Sequence, residues 1–180
     1  MNEVRRNYSP GVTTALALTL LLVSVTATAA TEYNIEVVVF EYIVPDARGE
    51  FWPPDPGTPD LEVSRGYPAA QRALGGTVAR LRQSAEYRVL AHRAWRQPGV
   101  SRGAAAPVLL QSSDGYNLIG TITVWRQRFL HAELDLLLRP AGGTDEVRLR
   151  QRRKMRSREL HYVDHPKLGV LIYATPVGAS

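Results

Sequence analysis

The chain has 180 residues, no cysteine, 22 Lys and Arg against 17 Asp and Glu, and a formal net charge of +5. The missing cysteine excludes a disulfide scaffold, a thiolate nucleophile or ligand, and the cysteine that a bacterial lipoprotein needs at its cleavage point. The length suits one domain with a core of its own, and the charge is only mildly basic.

Met1 to Ala30 has the layout of a secretory signal peptide. Arg5 and Arg6 form a positive start, the run from Ala15 to Val25 is apolar, and Ala27-Thr28-Ala29 supplies small residues for cleavage. A spanning helix needs about 20 apolar residues, so an uncleaved anchor is the weaker expectation. Residues 31–180 are then the exported domain, in a periplasm, with no membrane span after cleavage. Losing Arg5, Arg6 and Glu3 takes the formal charge from +5 to +4. In the periplasm such a charge points to wall glycan, phospholipid headgroups or lipopolysaccharide rather than nucleic acid.

Tyr33 to Phe40 begins as strict alternation and ends apolar on both faces, as a central strand does. Residues 45–67 form a proline-rich loop, in which Phe51-Trp52 either staples the loop to the domain or stacks on a partner. Pro68 to Ser84 is the one predicted helix, with Ala70, Leu74, Val78 and Leu81 on one face. Gly75-Gly76 weakens it and points to a kink or to a start at Thr77. Tyr87 to Gln97 is the next strand. Strand, helix and strand suggest a right-handed crossover with the two strands parallel.

Pro107 to Gln111 reads as a short edge strand. Tyr116 to Arg139 is too long for one strand and is expected to be a hairpin turning near Arg126 to Arg128. On its second arm Leu130, Ala132, Leu134 and Leu136 share one face, and His131, Glu133 and Asp135 the other. Ala141 to Asp145 is a turn. Val147 to Arg152 alternates with its arginines on one face, and Leu168 to Thr175 is a last apolar strand. The expected class is α+β in a single domain: a β-α-β start, then a β-meander, with one main helix on an antiparallel-rich sheet.

Chemistry concentrates between Arg148 and Pro166. Seven cations fall between Arg148 and Arg158. Glu133 and Asp135 are expected to pair with Arg148, Arg150 and Arg152 on a neighbouring strand, leaving an excess suited to an anionic partner. Arginine's planar fork matches carboxylates and phosphates. His161-x-x-Asp164-His165 resembles an inverted zinc motif with Asp in place of Glu. Pro166 disfavours helix at His165, and strand spacing would set the two histidines about 13 Å apart. No metal and no cofactor are therefore expected. Asp164 and His161 also suit a hydrogen-bonded knot fixing the turn before Gly169. With no Gly-x-Ser-x-Gly and no cysteine nucleophile, an enzyme is not expected.

Several blocks together resemble the CsiV-type peptidoglycan-binding proteins of gammaproteobacteria. They are Ile35 to Glu41, Tyr87 to Pro98, Gly120 to Thr123, Arg128 to His131 with Asp135-Leu136, and Arg153 to Pro166. The resemblance runs from Tyr33 to Pro176. It departs between Phe40 and Arg72, where a short proline-rich loop stands in place of a longer insertion. The family implies a periplasmic, non-catalytic protein that binds the cell wall. It also implies support of a bifunctional penicillin-binding protein through that synthase's lipoprotein activator, and so of cell shape. It carries over no glycan-contacting residue. From the residues themselves, the expected binding surface is Arg156, Arg158, His161, Tyr162 and His165, with Trp125 and Arg128 as outliers. The competing functions are a protein–protein adaptor with little direct glycan binding and a zinc-dependent wall hydrolase.

Overall fold

The computed structural model describes residues 30–43, 57–62, 66–112, 118–139 and 146–178. The expected signal segment, Phe51-Trp52 and the turn at Ala141–Asp145 lie outside them.

Eight strands and one helix are present among these residues: β1 (Glu32–Tyr42), α1 (Gly75–Gln83), β2 (Tyr87–Pro98), β3 (Val108–Gln111), β4 (Leu118–Arg126), β5 (Leu130–Leu138), β6 (Val147–Met155), β7 (Leu160–His165) and β8 (Leu168–Pro176). They form two four-stranded antiparallel sheets, ordered β2-β1-β8-β7 and β3-β4-β5-β6. The second sheet is the expected meander, with β3 at its edge. The hairpin β4–β5 turns at residues 127–129, as the length of the segment suggests.

Alternation builds the core. Ile35, Val37 and Val39 of β1, and Ala132, Leu134 and Leu136 of β5, face inward and are almost wholly buried in one cluster between the sheets. At about 25 cal/mol per Å2 of apolar surface removed from water, this is the main source of stability. One polar link crosses the core. Trp95 Nε1 donates to Gln97 Oε1 at 2.7 Å, and Gln97 Nε2 donates to the Val124 carbonyl at 2.8 Å, joining β2 to β4.

The other face of β1 is buried too, because α1 lies across it. Leu74, Val78 and Leu81 pack on Val38, Val89, Leu171 and Tyr173. The helix is shorter than its sequence pattern suggests. Pro68 to Ala70 is extended instead: the Pro68 carbonyl accepts from Arg96 N at 2.8 Å, and Ala70 N donates to Ala94 O at 3.3 Å. The helix begins at Gly75, and its N-cap residue Leu74 gives no side-chain hydrogen bond. The cap comes from β1. Glu36 Oε2 accepts from Ala73 N at 2.6 Å and Leu74 N at 3.0 Å, and His92 Nε2 lies 2.6 Å from Glu36 Oε1. A carboxylate at a helix N-terminus satisfies orphan N–H groups and complements the dipole. That explains why two glycines there are tolerated.

The architecture is α+β in a single domain, as expected, and one expectation within it needs correction. β1 and β2 pair antiparallel, not parallel. In a parallel crossover the helix carries the chain back. Here the connection after Tyr42 has already returned it to the level of Glu36, so α1 runs back toward Tyr42 and β2 descends beside β1. The strands also divide into two sheets, because the meander is apolar on one face only and must cover β1's inner face. No helix among the described residues is long and apolar enough to cross a membrane.

Candidate functional site

The arginine run on β6 divides in two. Its first part is neutralised across strands. Arg148 Nε and Nη2 donate to Asp135 Oδ1 and Oδ2, both at 2.7 Å, and Arg150 approaches Asp135 at 3.9 Å. Glu133 accepts from Arg152 at 3.2 Å and from Arg102 at 2.7 Å. Burial alone would raise the Glu133 carboxyl, but these two guanidiniums outweigh it and hold it below its usual range. The face is thus the expected salt-bridged one. Trp125 lies within it and is buried, stacked on His131 at 5.3 Å, with Arg102 and Arg152 over its ring at 5.4 and 5.6 Å. Both guanidiniums belong to the Glu133 network, so the indole is a mounting plate for that network and is not presented to solvent.

The second part lies at the end of the sandwich where β1 begins. Here the chain passes from one sheet to the other through residues 156–159, between β6 and β7. A cleft of about 260 Å3 opens beside this passage, lined by Tyr33, Arg126, Arg128, Phe129, Arg156 and Glu159 among others. The cations there rest on rings. Arg126 lies over Tyr33 at 5.9 Å, Arg128 over Phe129 at 5.5 Å, and Lys154 Nζ sits 3.7 Å from the Phe129 centroid. Arg126 Nη1 also donates to Thr31 Oγ1 at 3.1 Å. Gly99 makes room for this arrangement: a methyl there would meet the Tyr33 ring at 2.9 Å and Arg126 Cδ at 3.1 Å. Among the described residues Arg126, Arg128 and Lys154 form no ion pair. Among those residues Arg156 pairs with Glu159 alone, at 3.6 Å, and its side chain is 72% exposed. A ring holds a guanidinium by its quadrupole, worth about 0.5–1 kcal/mol at the surface, and leaves the net charge standing. The chemistry on offer is anion binding.

The residues singled out in the sequence are only partly gathered. Arg128 and Arg156 meet in the cleft, with Arg126, which the sequence reading missed. Arg158 is at the apex of the β6–β7 turn in a left-handed conformation (φ 65), its N–H donating to Ala174 O at 2.7 Å. His161 Nε2 lies 3.0 Å from both the backbone nitrogen and the carbonyl oxygen of Arg156, so this imidazole braces the turn behind the cleft.

Tyr162 and His165 belong to the far end, along β7. Tyr162 stacks on Phe40 with centroids 6.4 Å apart, and Tyr42 and Tyr87 meet Phe40 edge-on. Gly169 of β8 lies beneath: a methyl there would sit 2.3 Å from Phe40 Cζ, so only glycine lets the ring cross to Tyr162. The Tyr42 and Tyr162 hydroxyls and Asp164 Oδ1 form a three-way contact: Oδ1 lies 3.0 and 2.7 Å from the two hydroxyls, which also adjoin each other, so two protons are shared among three contacts. The Tyr162 hydrogen bond holds the Asp164 carboxyl low, and burial pushes the Tyr162 phenol up. The knot at Asp164 therefore exists, but its partners are Tyr42 and Tyr162 rather than His161. His161 and His165 are on the same strand with Tyr162 to Asp164 between them, and among the described residues no group of three His, Cys, Asp or Glu is placed to hold a metal.

Residues 60–177 match the sequence model of the CsiV peptidoglycan-binding proteins. The chain belongs to this family. No curated protein and no solved structure matches it. The match includes the cations of the cleft and the Tyr42 partners on β7; Tyr33 and Tyr42 on β1, and Thr31 just before it, precede the match. The family is described by what it binds, peptidoglycan, and that description suits a chain whose distinctive surface is cationic.

Proposed function

We propose that this chain is an exported, non-catalytic accessory protein that binds peptidoglycan in the periplasm through the cationic end of its sandwich. One observation carries the placement. Arg126, Arg128 and Lys154 are held by Tyr33 and Phe129 rather than by carboxylates, so their charge is directed outward. Family membership supplies the ligand class. Support of a bifunctional penicillin-binding protein through its lipoprotein activator, and hence of cell shape, belongs to the same proposal. It would follow if wall binding concentrates the synthase's helper at its substrate.

The test is co-sedimentation of the purified protein with purified sacculi, beside an unrelated protein of equal size and charge. Retention well above that control is expected. It should weaken as salt rises, because exposed charges are screened within about 8–10 Å at physiological ionic strength. Changing Arg156 and Arg158 to alanine together is expected to lower it. Retention no better than the basic control would overturn wall binding and leave a protein–protein adaptor.

A further inference from the structure

We infer that the cleft recognises a single carboxylate end group, such as the free carboxylate of a short wall peptide, rather than the sugar chain. This rests on the wall-binding function proposed above and names the group bound.

Size argues first. Sites that bury drug-sized ligands have volumes of about 300–1,000 Å3. A cleft of about 260 Å3 is smaller and takes an end group, not a run of sugar rings. Charge argues second. Arg126, Arg128 and Arg156 come from two separate turns and converge on one cleft. Guanidiniums pair in fork geometry with carboxylates, and such charge-assisted bonds are about twice as strong as neutral ones. Preorganisation argues third. Arg126 is fixed between Tyr33 and Thr31, and Arg128 on Phe129, so little side-chain freedom is lost on binding.

Glu159 identifies the anion. Among the described residues it is the one carboxylate lining the cleft, and it lies 3.6 Å from Arg156 in an exposed pair. Such pairs are worth only about 0–1 kcal/mol and exchange readily. Glu159 therefore stands where an incoming carboxylate would stand. It competes for Arg156 and repels the ligand, which sets an upper limit on affinity. The half-buried ring of Phe129 gives the ligand's aliphatic part an apolar edge, while Tyr33 is buried beneath Arg126.

The experiment compares native sacculi with sacculi whose carboxylates have been converted to amides. Amidation is expected to cut retention about tenfold or more, the effect of losing one charge-assisted pair. Arg126→Gln with Arg128→Gln should cut retention on native sacculi equally and show no further loss on amidated ones. Glu159→Gln should raise retention on native sacculi only. Unchanged melting temperatures show that the variants fold. Undiminished retention on amidated sacculi overturns the carboxylate while wall binding stands. So does amidation that weakens the double variant as much as the parent. If native sacculi are not retained at all, wall binding fails, and titration with acetyl-D-alanyl-D-alanine, its C-terminal amide and inorganic phosphate decides the cleft separately. Saturable shifts at Tyr33 and Phe129 with the free acid alone support the inference; equal response to the amide or to phosphate overturns it.

Discussion

At the Tyr42 end of the sandwich, Tyr42, Tyr162 and Asp164 satisfy one another, and their rings gather around buried Phe40. At the Tyr33 end, Arg126 and Arg128 rest on rings and no carboxylate answers them among the described residues. The ends are about 30 Å apart along β1. Both mix aromatic and ionisable groups. Where hydroxyl and carboxylate meet over a ring stack, the polar atoms close on themselves and fasten the edge strand. Where cations are set on rings, the polar atoms remain available. An aromatic cluster therefore marks a binding surface only when its charges are left uncompensated.

This contrast can be broken by mutation. Phe40→Ala removes the ring that three tyrosines surround and should cost about 3–5 kcal/mol in denaturant unfolding. At temperatures where it remains folded, its retention on sacculi should equal the parent's, and a loss would show that the two ends are coupled. Gly169→Ala forces a methyl against Phe40 and should cost about 1–3 kcal/mol by overpacking. Arg128→Gln should do the reverse, shifting stability by less than about 0.5 kcal/mol while retention on sacculi falls. A stability loss several times larger would make Arg128 structural. The smallest effect concerns His165. Burial holds its imidazole below the ordinary value of 6.5. As pH falls below that value the unfolded chain takes up a proton before the folded chain does, so stability declines on acidification. His165→Gln should flatten the stability profile between about pH 7 and 5, measured by denaturant midpoints.

The strands were legible because one-sided burial writes a period of two into sequence. Leu130, Ala132, Leu134 and Leu136 announce an inward face, and Glu133 and Asp135 announce partners that Arg148 and Arg152 supply. The β1–β2 pairing was not legible, since the direction of β2 depends on where the connection after Tyr42 returns the chain. Nor was the helix start, whose cap is 38 residues away on β1. In the site, Arg128 and Arg156 stood out beside turns. Arg126 did not, because it closes an alternating strand and its partners Thr31 and Tyr33 are more than 90 residues earlier. The available signal was Arg126-x-Arg128-Phe129, a hairpin turn without glycine, asparagine or aspartate. Turn chemistry that poor is a reason to look for another use of the residues.

The capping of α1 by Glu36 also sets an order of events. Nine residues beginning with two glycines cannot nucleate a helix alone. The helix needs β1 present and Glu36 in place, and its contacts should be absent from the folding transition state. Substitutions at Val78 should then leave the refolding rate unchanged and speed unfolding, so the helical layer governs how long the folded protein lasts rather than how quickly it forms.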